Sequence, residues 1–305
     1  MSKAGAAGQD PIPIGEIAAP PFVRLPDPLA LFATRSLRFR TLAEGHQLAP
    51  YLLFLAALSE CQHRIQKDLP EPDLPADDAR ARAREHAMPP LDRTRFTADA
   101  ALDATLDRLL ALAATIDMPD NARAALDRAQ GADAAARDGM VRAVLADAIP
   151  VETLADHVYV AAALQLHFAR LAARLDPAAL VPIGDGVCPA CGGAPVASAI
   201  VGWKGAHGTR FCTCSLCATQ WHVVRIKCVL CDSTKGIAYQ ELDGGPDTVK
   251  AETCENCHGY VKLLQQQKNP SLEPVADDVA TLGLDILLRE TGYRRGAVNP
   301  FLLGY

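Results

Sequence analysis

The sequence predicts an α+β protein. A helical N-terminal domain leads into a tandem rubredoxin-like or zinc-ribbon-like four-cysteine metal module, which a C-terminal helix closes. Three observations carry this expectation. Leucines recur at helical spacing through the first part of the chain, four C-x-x-C pairs crowd between Cys188 and Cys257, and an apolar segment with helix signals follows them. At 305 residues the chain exceeds one average domain, and the texture divides it into 1–180 (helical), 181–268 (cysteine module) and 269–305 (closing helix and apolar tail).

In the helical part, Leu52, Leu55, Leu58 and Ile65 share one face, and Leu102, Leu106, Leu109, Leu110 and Ala113 repeat the pattern. A third helix is expected from about Val151 to Leu175. The prolines and acids of K-D-L-P-E-P-D-L-P-A-D-D (67–78) suit a solvated connector, and A-M-P-P-L (87–91) is a second break. The longest apolar run, L-A-P-Y-L-L-F-L-A-A-L (48–58), is eleven residues, whereas a membrane-spanning helix needs ~20. No membrane insertion is expected.

Pro and Gly cluster in D-P-A-A-L-V-P-I-G-D-G (176–186), and the texture then changes. Short β-favouring runs, W-H-V-V-R-I (221–226) and I-A-Y-Q (237–240), separate the cysteine pairs. One closing helix is expected from Pro274 through A-D-D-V-A-T-L-G-L-D-I-L-L-R-E-T-G, with Asp277 and Asp278 in its first turn and Gly292 at its C-terminal end. The tail N-P-F-L-L-G-Y is apolar and is expected to pack back on the body.

The N-terminal fifteen residues contain no apolar core ahead of a small-residue cleavage site. The expected compartment is therefore the cytoplasm, where thiols stay reduced and paired cysteines mean metal or redox chemistry rather than disulfides. From Cys191 to Cys214 there are 22 intervening residues, as there are from Cys231 to Cys254, so one C-x2-C-x22-C-x2-C unit recurs at an offset of forty. Each unit can wrap one ion in a tetrahedral thiolate cage. An interleaved pairing, first pair with third and second with fourth, is also possible. In C-P-A-C-G-G (188–193) Pro fixes the turn and Gly192 accepts positive φ. A thioredoxin-like redox motif would stand once beside a βαβ pattern, whereas here four copies lack that pattern, and even pairing suits mononuclear sites better than an iron–sulfur cluster. Four thiolates leave no open coordination position for metal-assisted hydrolysis. A purely structural role for the cages and a functional metal stay open together.

Cys212 and Cys61 fall outside the frame and read as buried fillers. Arg210, Arg225 and Lys227 flank the cages as candidate counter-charges, and His222 and His258 read as neighbours or surface residues because the cysteines already complete two sites. Residues 181–305 carry 11 Lys and Arg against 12 Asp and Glu, and residues 1–180 carry 19 against 24, consistent with the net charge of −6. Neither part has the basic excess of a nucleic-acid binder.

Together, C-P-A-C-G-G-A-P-V-A-S (188–198), R-F-C-T-C-S-L-C-A-T-Q-W-H-V-V-R-I-K-C-V-L-C (210–231), A-E-T-C-E-N-C-H-G-Y-V-K (251–262), P-V-A-D-D-V-A-T-L-G-L-D (274–285) and G-Y-R-R-G-A-V-N-P-F-L-L (292–303) resemble the FdhE family of formate dehydrogenase accessory proteins. Weaker similarity covers P-F-V-R-L-P-D-P (21–28) and A-A-A-L-Q-L (161–166). The chain departs from the family pattern at Cys212-Thr213, where a hydrophobic residue and a histidine are expected. The resemblance implies a cytoplasmic, non-enzymatic factor that binds the catalytic subunit of respiratory formate dehydrogenase before its export. It also implies rubredoxin-type sites able to carry iron, with zinc the alternative. Cys188, Cys191, Cys214 and Cys217 would hold one ion, and Cys228, Cys231, Cys254 and Cys257 the other.

Overall fold

The computed structural model describes residues 20–242 and 244–302. The N-terminal segment read for an export signal, and the last three residues of the apolar tail, lie outside the described residues. Helices make up the first part: α1 (Pro28–Ala43), α2 (Ala49–Ile65), α3 (Asp77–Glu85), α4 (Ala100–Ala113), α5 (Asp120–Gly131), α6 (Ala134–Leu145) and α7 (Leu154–Ala172). The leucine faces of α2 and α4 are buried as the periodicity predicts. Asp27, Asp99 and Asp133 cap α1, α4 and α6 by accepting backbone N–H bonds. The axis of the bundle is α7, buried nearly all round and alanine-rich, so α4, α5 and α6 approach it closely. Among the described residues no helix is long and apolar enough to cross a membrane.

The second part is one twisted sheet. Its strands are β1 (Val23–Arg24), β2 (Pro195–Ile200), β3 (Arg210–Cys214), β4 (Gln220–Val223), β5 (Ile237–Gln240), β6 (Val249–Cys254), β7 (Gly259–Leu264) and β8 (Arg294–Arg295). The order is β1-β4-β3-β2-β7-β6-β5, with β8 beside β7. The forty-residue repeat is visible here as two three-stranded meanders, β2-β3-β4 and β5-β6-β7. They join head to tail through a parallel contact of β2 with β7, Ser198 opposite Leu263 and Ala199 opposite Leu264. β1, from the helical part, covers the outer edge of β4. The run W-H-V-V-R-I is not a strand throughout: pairing ends at Val223, where the chain leaves the sheet to begin the second unit.

The single closing helix is corrected to two, α8 (Pro274–Ala280) and α9 (Leu282–Glu290). Thr281 breaks the run, its hydroxyl and N–H both donating to the Asp277 carbonyl and its backbone at φ −102° and ψ 29°. Gly292 ends α9 at φ +83° as expected. Asp277 sits in the first turn of α8 as expected, and both Asp277 and Asp278 are buried in ion pairs. Asp277 meets Arg38 of α1 at 2.6 Å, and Asp278 meets Arg295 and, at 3.2 Å, Lys262. Lys262 also reaches Asp285 at 2.5 Å. Arg35 adds a second α1–α8 clamp, to Glu273 at 3.0 Å, and Tyr51 donates to the Phe301 carbonyl at 2.7 Å. Phe301 and Leu302 are buried, so the described part of the tail packs back as predicted. One apolar core runs from Val23 through the bundle and the first cysteine unit to Leu302.

Candidate metal centres

Each C-x-x-C is a turn joined to a strand. Cys188 and Cys191 precede β2, and Cys214 ends β3 with Cys217 in the turn to β4. Forty residues on, Cys228 and Cys231 precede β5, and Cys254 ends β6 with Cys257 ahead of β7. The residue after each pair takes positive φ: Gly192 (75°), Ala218 (58°), Asp232 (61°) and His258 (52°). Only the first is the glycine that this conformation favours, so three knuckles hold an uncommon backbone. The turns are tied by Gly192 N–H to Cys188 O and Cys188 N–H to Gly193 O, both 2.9 Å, and by Asp232 N–H to Cys228 O at 2.9 Å.

The sulfurs gather as Cys188, Cys191, Cys214, Cys217 and as Cys228, Cys231, Cys254, Cys257, each set within 4.8 Å of one another. The first pair thus meets the second and the third meets the fourth; the interleaved alternative is not the arrangement found. The separations are 3.6 Å (Cys188–Cys217), 3.4 Å (Cys191–Cys214), 3.8 Å (Cys228–Cys257) and 3.7 Å (Cys231–Cys254). Sulfurs at tetrahedral corners about 2.3 Å from a central ion stand roughly 3.8 Å apart, so both sets fit one ion each. The cradle is tight as well: a Cβ on Gly193 would lie 3.0 Å from Cys214 Sγ and 3.3 Å from Cys191 Sγ.

The two sets differ in surroundings. All four sulfur-bearing residues of the first are buried, whereas Cys231 and Cys257 are part-exposed. In the first set burial pushes the Cys188 and Cys191 thiols well up. Burial acts on Cys214 too, but hydrogen bonds from the other three thiols and the Cys217 N–H hold it well below the usual thiol range. In the second set the Asn256 carboxamide, donating to Cys231 Sγ at 3.5 Å, and the Ser233 N–H hold Cys231 down at about 6. In each set one thiol, Cys214 or Cys231, is thereby favoured as the thiolate, the form that binds metal.

The predicted counter-charges are engaged elsewhere. Arg210 is buried against Glu252 at 2.8 Å and donates to the carbonyls of Arg225 and Lys227. Lys227 bridges Asp185 and Asp232, both at 2.9 Å, and Arg225 reaches the Gly208 carbonyl. The charge near the first set is Arg93, which sequence reasoning missed. It pairs with Asp147 and lies within electrostatic reach of Cys191 and Cys214. Its strap also donates Leu91 N–H to Ala190 O at 2.9 Å and Arg93 N–H to Cys191 O at 3.1 Å. Gln165 of α7 was missed too; its side chain donates to Ser215 O at 2.8 Å. Neither has a local signal, for each is tens of residues from the cysteines. Asn256, inside C-E-N-C, could have been found. Cys212 and Cys61 are buried fillers as expected, burial pushing their thiols up to about 12 and about 11. His222 packs edge-on against Phe211, and His258 is exposed.

Three profiles of one family cover this architecture: FdhE N-terminal over residues 20–185, FdhE central domain over 187–225 and FdhE C-terminal domain over 226–302. The chain belongs to the FdhE family. The central profile takes the first meander and the C-terminal profile the second with α8 and α9. A "Protein FdhE homolog" of Rhizobium meliloti (strain 1021) is 48% identical over 298 residues, 97% of each chain. Another, of Stutzerimonas stutzeri (strain A1501), is 39% identical and covers 93% of this chain and 92% of its own. The crystal structure of the FdhE protein from Pseudomonas aeruginosa superposes with a TM-score of 0.82 at 34% identity, over 93% of this chain and 99% of that one.

Proposed function

We propose that this FdhE-family chain is an accessory factor for the assembly of formate dehydrogenase. It acts without a catalytic step of its own, binding the enzyme's catalytic subunit in the cytoplasm. The surface it uses belongs to a rubredoxin-type module whose two four-cysteine sets hold iron, with zinc as the alternative. The observation that carries this is two complete thiolate sets of tetrahedral dimensions, within a chain that matches its family from residue 20 to 302. A surface suited to a protein client lies between the two units, where Val224 and Ile226 are exposed on either side of Arg225. The cages supply fixed geometry there, and iron would add a ferrous–ferric couple that zinc lacks.

The test is co-purification of the full chain with the tagged catalytic subunit, alongside formate dehydrogenase activity in cells whose own copy is deleted. Charge reversal at Arg225 and Lys227, or serine at any cage cysteine, is expected to lower both. Normal activity with all of these variants would end the proposal. A second reading, an iron-dependent electron-transfer or redox-sensing protein acting on the same client, is favoured by one observation: Cys231 and Cys257 reach the surface. Reversible reduction of the iron-loaded chain, coupled to a change in client affinity, separates the two readings.

A further inference from the structure

The two cages are copies of one unit, so corresponding residues can be compared at the offset of forty. Around the first set, Ser215, Leu216 and Ala218 form a buried lid, closed further by Gln165 and the 91–93 strap. Around the second, the same places hold Glu255, Asn256 and His258, all exposed among the described residues. The inner side of the second set stays sealed, because Leu230 packs where side chains on Gly259 and Gly296 would be. The opening is therefore one-sided, at Cys231 and Cys257.

We propose that the cages divide the work: the outer set, Cys228, Cys231, Cys254 and Cys257, is an exchangeable metal site loaded and emptied through the Cys231–Cys257 side, while the inner set keeps its ion as long as the fold persists. This rests on the reading of both sets as metal sites. Exchange is a ligand substitution with no change in oxidation state. With an ion bound, an incoming oxygen, nitrogen or sulfur donor would take the position that Cys231 gave up. Cys231 would leave with its electron pair as a thiolate, which the Asn256 carboxamide, already donating to that sulfur, would stabilise. All four cysteines of the inner set are buried, with the strap bonded to the backbone of Ala190 and Cys191.

The experiment uses the full chain loaded with two equivalents of Zn2+ and challenged with excess EDTA. Native mass spectrometry follows the ions while iodoacetamide marks released thiols. The expected course is two ions to one, with label on Cys231 and Cys257 first and the one-ion species persisting. Loss of both ions at a single rate, or label on the inner set first, overturns the proposal while leaving the metal reading intact. A chain that retains no ion in either set overturns both. Rebuilding the inner lid on the outer cage with Asn256→Leu and His258→Ala is expected to slow the first loss roughly 10-fold, the scale of groups surrounding a metal's ligands. Ala218 already holds the His258 backbone conformation at φ 58°, so the variant keeps the turn. An unchanged rate removes the role given to this rim.

Discussion

His167 lies on α7, fully buried, and neither ring nitrogen has a hydrogen-bond partner among the described residues. Phe96 and Phe168 flank the ring, and the Asp99 carboxylate stops 3.8 Å away because it caps α4 instead. Burial, only partly offset by Asp99, pulls the imidazole down to about 4 from its ordinary 6.5. The unfolded chain therefore takes up a proton below pH 6.5 that the folded chain refuses until about 4. Stability is lost as pH falls through that window, by about 3 kcal/mol for this one group. His167→Leu should remove the loss and leave stability at pH 7 little changed; denaturant midpoints at pH 7 and 4.5 measure it. An acid loss of equal size in both proteins would refute the assignment. Lys262 is the opposite case: it is 1% exposed and neutralises Asp278 and Asp285 while donating to the carbonyls of Asp278 and Thr281. Lys262→Met should cost roughly 3–5 kcal/mol in urea unfolding, because it strands buried carboxylates. A change under about 1 kcal/mol would mean that Arg295 alone suffices. The cysteine sets were legible at this scale because a C-x-x-C turn is local. Asp277 and Asp278 were not, because Arg38 and Lys262 come from other elements and the sequence displays only a helix start.

Among the elements, α2, α4 and α7 could be read from apolar periodicity because each buries a continuous face. α3 has no buried residue and rests on Asp77–Arg80 and Asp78–Arg82 pairs along its own surface. α5 is alanine- and charge-rich, with only Ala125, Leu126 and Ala129 buried. β1 has two residues, too few for any pattern, and exists because β4 offers it an edge. The break between α8 and α9 follows from tertiary demand: at Thr281 the Lys262 ammonium of β7 donates to the Asp278 and Thr281 carbonyls. Glu273 links the layers. It accepts from Ala276 N–H as the cap of α8 and pairs with Arg35, which also reaches Gln165, the residue that holds Ser215 beside the inner set. Glu273→Ala removes the cap and leaves Arg35 buried without its carboxylate, at an expected cost of roughly 3–5 kcal/mol. Hydrogen exchange should show α8 and the 215–217 turn losing protection together. Loss confined to α8 would mean that the chain of contacts does not transmit.

At the scale of the whole molecule, the inner set lies where the bundle, the strap and the first meander converge within one core, whereas the outer set lies toward the β5 end of the sheet. A four-cysteine ion contributes on the order of 10–16 kcal/mol of apparent binding energy, comparable with the roughly 5–15 kcal/mol that separates a folded domain from its unfolded chain. With an ion in the inner set, as proposed, its loss should therefore unfold everything attached to that core. The outer set has a substitute. β7, β8, α8 and α9 are already fastened by Lys262, Arg295, Asp278 and Asp285, a buried network that needs no metal. Cys191→Ser should then lower the main thermal transition by on the order of 10 °C or more, or prevent soluble expression altogether. Cys231→Ser should leave that transition nearly in place, with hydrogen-exchange protection lost only around 228–240 and 254–257. Circular dichroism melts of both variants decide the matter. Equal shifts would mean that the head-to-tail sheet, through its β2–β7 contact, makes the two cages one cooperative unit and that the ionic network cannot hold the second meander without its ion.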